Sequence, residues 1–202
     1  VPGVPPTPAF AGVTLDIAPI AAGQEYGRIH RLAFPEPLGF GKNPTRFSDP
    51  RRRLPKTRFG VLYLGSSLKV CFLETILRDD RDGVVGEVEV EETELDDRLY
   101  AEIRVRDPLR LLDLTGDGPV RMGIPSDVLR GSQQSLARKW SVAFYDHPAA
   151  IDGIVYPSRL NGQTNLAIYD RSVSKLELVR SHDLKRAPGM ADVLDDFFVA
   201  LI

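Results

Sequence analysis

The stretch GVLYLGSSLKVCFLETILRD, residues 60–79, decides how the rest of this chain is read. Its first half, Val61 through Leu64, is a short apolar run of strand type, and Ser66 or Ser67 then offers a side-chain oxygen to cap a following helix. Wound as a helix over 67–78, the second half places Leu68, Val70, Cys71, Phe72, Leu73, Ile76 and Leu77 nearly all round the cylinder, the pattern of a buried helix. One carboxylate, Glu74, interrupts it. A charge in such a place needs a partner, so Glu74 either meets a buried cation or faces a cavity in which it does chemistry.

Outward from this strand and helix, strands are expected at 26–31, 84–91, 99–105, 109–114, 153–156, 165–169 and 175–179, with period-two alternation around Val88 and Val90 in the 84–91 run. Helices are expected at 132–145 and 190–202, the second with Val193, Leu194, Phe197, Phe198 and Leu201 as a docking face. Many short strands, few helices and no regular alternation specify an α+β fold, a single compact domain with a twisted mixed or antiparallel sheet. Pro2, Pro5, Pro6 and Pro8 make the beginning extended, so residues 1–20 read as a proline-rich tail and 21–202 as the domain. The loop over 34–59 is too long for a plain connection and reads as functional.

At 202 residues, 43% apolar and with net charge −2, the chain is sized for one core and carries no global pull toward nucleic acid or membrane. No run reaches the roughly 18 apolar residues of a membrane span, and a cytoplasmic protein is expected. The single Cys71 allows no disulfide framework and reads as a small buried hydrophobe; His30, His147 and His182 lack ligand spacing, so no metal site is expected.

The loop over 42–58 sets Lys42, Arg46, Arg51, Arg52, Arg53, Lys56 and Arg58 against one acid, Asp49. Guanidinium forks suit phosphate oxygens, so the loop can hold a pyrophosphate or a nucleic-acid backbone, although a solvated charged face explains the triple arginine equally well. Arg46 beside Phe47 is the better anchor because an aromatic neighbour fixes it. The acidic run over 87–97 reads as solvated glutamates on a strand. Tyr63 can stack on a flat ligand or simply pack, and Ser158 sits at a strand end near the Asn161-Gly162 turn. Without a G-x-S-x-G elbow, a serine hydrolase is disfavoured.

Taken together, GRIHR, NPTRFSDP, the 60–79 stretch and DGIVYPSRLNGQTNLAIYD resemble the RES-domain family over residues 26–179. The tyrosine-ended strand followed eleven residues later by glutamate, Tyr63 and Glu74, carries most of the resemblance. The match around Arg46 departs from the family, which often has a glycine pair before the arginine where this chain has Pro44 and Thr45. The resemblance implies an ADP-ribosyltransferase-like fold and a toxin of a bacterial toxin–antitoxin pair that consumes NAD, by hydrolysis or phosphorolysis, or by transfer to a protein as in the ParT type, whose target is phosphoribosyl pyrophosphate synthetase. It also implies an antitoxin with a helix-turn-helix domain covering the active site.

In that frame Glu74 stabilises the oxocarbenium-like transition state, Arg28 or Arg31 and Arg46 hold the pyrophosphate, Tyr63 stacks on nicotinamide, and Ser158 bonds the ribose. Arg28 and Arg31 would lie on opposite faces of a strand, and both stay open. Neutral nicotinamide needs no metal to leave. Two other readings stand beside this one: a basic-loop module for RNA or DNA, and a silent protein in which Glu74 pairs with a structural arginine.

Overall fold

The computed structural model describes residues 3–51, 55–78, 83–131 and 134–202. Among the described residues ten strands form where β-type runs occur: β1 (Ile17–Ile20), β2 (Glu25–Arg31), β3 (Val61–Gly65), β4 (Val88–Val90), β5 (Arg98–Val105), β6 (Leu109–Asp113), β7 (Gly153–Pro157), β8 (Thr164–Tyr169), β9 (Leu176–Asp183) and β10 (Val199–Leu201). The α-helices are short: α1 (Leu68–Thr75), α2 (Glu92–Asp96), α3 (Gly118–Arg121), α4 (Asp127–Arg130), α5 (Ser135–Tyr145) and α6 (Met190–Asp196). This is the α+β class expected.

Eight strands make one sheet in the order β1-β6-β7-β8-β3-β2-β5-β9, antiparallel throughout except between β6 and β7, while β4 and β10 pair in parallel on their own. The ladder is weakest between β2 and β3, which meet at one register pair, Gly27 opposite Gly65. Both positions need glycine: a Cβ on Gly27 would lie 2.6 Å from the Tyr100 hydroxyl, and one on Gly65 2.8 Å from Cys71 Sγ. Joined at a single point, the two strands diverge and leave a wedge between the halves of the sheet.

Three apolar clusters form among the described residues. One lies under α4 and α5 and includes Phe10, Phe47, Trp140, Phe144 and Tyr169. A second packs α1 and α6 against β2 and β5 through Phe72, Leu77, Leu95 and Val193. The third joins Leu62, Leu64, Leu166 and Ile168 from one half of the sheet to Ala101, Ile103 and Val105 from the other, so the sheet curls on itself.

Four expectations need correction. The tail expected over 1–20 is packed on the domain through its described residues, 3–20: a 3-10 turn at Pro8–Gly12 buries Phe10 in the core, and Ile17–Ile20 adds an edge strand to β6. α1 stops at Thr75, with Ile76 as its C-cap, and does not continue through residue 78. The strand expected over 84–91 pairs only at Val88–Val90, and the acidic run continues into α2. The C-terminal helix ends at Asp196, and Phe198, at φ 51°, turns the chain into β10. The expected start of α5 at residue 132 lies outside the described residues.

Candidate active site

Glu74 is delivered to the wedge by the local chemistry of α1. Ser67 caps the helix, its side chain accepting from the Val70 amide at 3.3 Å. Leu68, Val70, Cys71, Phe72 and Leu73 are buried, which fixes the rotation of the helix about its axis. That rotation leaves Glu74 half-buried on the wall of a cleft of about 370 Å³, within the size range of ligand sites.

Two groups hold the carboxylate. Ser158 Oγ donates to Glu74 Oε1 at 2.6 Å, and Asn165 Nδ2 donates to the same oxygen at 3.1 Å. Among the described residues no group donates to Oε2. Ser158 is 3% exposed and stands behind Glu74, outside the cleft lining, where its hydroxyl also accepts from the Leu160 amide at 3.2 Å. A serine hydroxyl has one proton, and here Glu74 receives it.

Among the described residues, Arg28, Arg46, Arg78 and Arg159 line the same cleft as this carboxylate. Arg28 Nη1 donates to the carbonyls of Pro37 and Gly39, both at 2.6 Å, and Arg46 Nη1 donates to those of Val128 and Gly131 at 3.3 and 3.1 Å. Each guanidinium is thus oriented by one nitrogen while Nε and Nη2 take no partner among the described residues. Burial pulls the Arg28 guanidinium down to about 10 against the opposing pull of Glu36, and burial lowers Arg46 as well. Partly desolvated cations with free donors are the electrostatic complement of a phosphate group.

Tyr63 lines the cleft too, but its hydroxyl is engaged. It accepts from the Phe47 amide at 2.9 Å and shares a hydrogen bond with Thr45 Oγ1 at 2.9 Å, so it ties down the residues on either side of Arg46. Phe47 anchors the same segment, fully buried with its ring 5.0 Å from that of Tyr156. Cys71 also reaches the cleft wall, and burial pushes its thiol up to about 12, which makes it a hydrophobe and no nucleophile at neutral pH.

Arg31 is exposed at the end of β2 and does not line the cleft, while Arg28 does: three residues apart on a strand, they take opposite faces. Of the other loop cations, Arg51 makes paired contacts with Asp49 and reaches Asp146 at 3.0 Å, and Lys42 donates to the Lys56 carbonyl. Arg52 and Arg53 lie outside the described residues. Among the described arginines and lysines of that loop, Arg46 is the one that lines the cleft.

The RES domain family model matches residues 21–187. The chain belongs to the RES-domain family. A curated relative from Sinorhizobium fredii, named "Probable toxin y4kH", is 36% identical over 127 residues, 62% of this chain and 100% of that protein. In fold the chain resembles a chain in the crystal structure of the M. tuberculosis MbcT–MbcA toxin–antitoxin complex, with TM-score 0.59 and 18% identity over 89% of this chain and 91% of the other.

Within this RES domain, sequence reasoning missed Asn165, Arg78 and Arg159. Signals for two were present. Arg78 follows Glu74 by four residues, one helical turn, and the Asn161-Gly162 turn closes β7 on β8 so that Asn165 pairs with Tyr156, beside the strand end that carries Ser158.

Proposed function

We propose that this RES-domain toxin cleaves NAD at the nicotinamide–ribose bond and transfers ADP-ribose to a protein acceptor. The observation that carries the reading is a carboxylate fixed through one oxygen, with the other oxygen open to a cleft whose lining includes Arg28, Arg46, Arg78 and Arg159. The pyrophosphate of NAD would engage Arg28 and Arg46 through their free nitrogens, placing the nicotinamide-side ribose near Glu74. As the C–N bond breaks, its electron pair moves to the ring nitrogen and neutralises the pyridinium. Positive charge then develops on the sugar, where Glu74 Oε2 stabilises it more than it stabilises the ground state. An acceptor oxygen or nitrogen bonds the anomeric carbon and releases its proton to solvent.

Arg78 and Arg159 lie on the same cleft and extend its positive field beyond what one pyrophosphate requires. The acceptor is therefore the open variable, with a protein such as phosphoribosyl pyrophosphate synthetase preferred and water or phosphate as the competing acceptors that would make the enzyme an NAD glycohydrolase or phosphorylase. The antitoxin expected for a RES toxin would silence it by covering the cleft, in keeping with the fold's likeness to a chain from a toxin–antitoxin complex.

Incubating the purified protein with NAD labelled in the ADP-ribose half, with and without lysate, tests this reading. Nicotinamide release together with a labelled protein band is the expected result, and free or phosphorylated ADP-ribose would reassign the acceptor. Glu74→Gln should lower nicotinamide release on the order of 10²–10³-fold with the fold intact. Wild-type protein that leaves NAD untouched, or a Glu74→Gln variant as fast as wild type, sinks the proposal.

A further inference from the structure

We propose that residues 3–12, which lie outside the RES match, form a strap that positions Arg46 through α4 and so sets the affinity of the cleft for its anionic ligand. The identity of that anion rests on the NAD reading; the positioning does not.

The path is continuous. At its near end the Gly3 backbone packs so closely on the α4–α5 corner that a Cβ there would lie 2.4 Å from Leu136 Cδ2 and 3.3 Å from Asp127 Cβ. The Val4 carbonyl accepts from the Trp140 indole at 2.9 Å, which pins the strap to α5. Phe10 then enters the core, its ring edge-on to Trp140 at 5.0 Å and also touching Phe144 and His147.

α4 is one turn long, and its N-cap residue Ser126 makes no side-chain capping bond. A single turn does not hold itself together in water, so its place is set by what packs on it. Val128 and Leu129 belong to the same apolar cluster as Phe10 and Trp140. At the far end of α4 the Val128 and Gly131 carbonyls receive Arg46 Nη1, and Leu129 lines the cleft. Arg46 caps α4, and the strap holds α4 where Arg46 can cap it.

A purely structural strap and a positioning one differ in what a perturbation reaches. In the full chain, Gly3→Val disturbs the corner contact and Phe10→Ala removes the core anchor. Trp140 is the only tryptophan, so its emission reports the strap directly. The side-chain nitrogen resonances of Arg46, followed by NMR without ligand, report the guanidinium. We expect both variants to shift Trp140 emission and to move or broaden the Arg46 signal. They should raise the KM for NAD between about 2- and 30-fold with kcat nearly unchanged. In an Arg46→Ala background the same substitutions should change KM no further, the non-additivity of residues acting through one contact.

A variant that shifts Trp140 emission but leaves the Arg46 resonances where they are overturns the proposal. If Phe10→Ala fails to fold, Gly3→Val decides alone. Should Arg46 respond while the wild type leaves NAD unturned, the NAD reading falls and the strap's role stands.

Discussion

Glu74 has one oxygen bonded by Ser158 and Asn165 and the other facing the cleft, and this asymmetry makes orientation the vulnerable property of the site. Ser158→Ala removes a hydrogen bond to a charged acceptor, a group worth about 1.5–3 kcal/mol, while Asn165 still holds the carboxylate in the neighbourhood. Read as transition-state stabilisation, that is a loss of roughly 10- to 150-fold in kcat for nicotinamide release, with KM near wild type. Unchanged kcat in Ser158→Ala would show that the carboxylate needs no such alignment. The tension at Glu74 was legible from one helix, because a carboxylate among apolar neighbours in 68–77 has few physical explanations. Its partners were less so. Ser158 and Asn165 lie 84 and 91 residues away along the chain, and only strand pairing brings them in. Arg28 and Arg31 could not be separated until the face of β2 was known.

At the scale of elements, β3 and the segment that precedes it act as one unit because the Tyr63 hydroxyl bonds residues on both sides of Arg46. Tyr63→Phe separates two roles for this ring. Stacking on nicotinamide survives the substitution, whereas tethering does not. Losing the tether leaves the Phe47 amide without its acceptor, at a cost of about 1–3 kcal/mol, and frees Arg46 to move. We expect a melting temperature lower by several degrees and a raised KM for NAD; a variant indistinguishable from wild type in both would assign Tyr63 to stacking alone. Short apolar runs bounded by turn residues were readable as strands, and the elements that escaped did so for separate reasons. β1 contains Pro19, which argues against a central strand and is compatible with the edge position it occupies. The end of α6 depends on a positive φ at Phe198, a residue type that gives no local warning of it.

Across the whole molecule, the ladder joins the two halves of the sheet at a single register pair, Gly27 and Gly65, so ties beyond the ladder hold the wedge at a fixed width. Asp152 is one. Buried at the start of β7, it accepts from the Arg110 amide of β6, from Ser172 at 2.6 Å and from Lys175 at 2.8 Å, and the last two lie on the 3-10 segment that leads from β8 across to β9. Burial by itself would raise this carboxyl; the bonds from Lys175, Ser172 and Arg110 outweigh it and hold it below the ordinary value. Asp49, bonded by Arg51, is lowered in the same way. A carboxyl with its folded pKa below its unfolded one contributes stability that is complete above the unfolded value, near 3.9, and is lost as pH falls through the folded value. Asp152→Asn should therefore cost about 3 kcal/mol at pH 7, the low end for breaking a buried pair because the Lys175 side chain keeps 35% of its exposure. As the wild-type carboxyl protonates below about pH 4, the gap in melting temperature between the two proteins should close. Thermal unfolding of both from pH 7 to pH 3 checks this, and a gap that stays constant to the acid end would mean that Asp152 holds the halves together through packing and not through its charge.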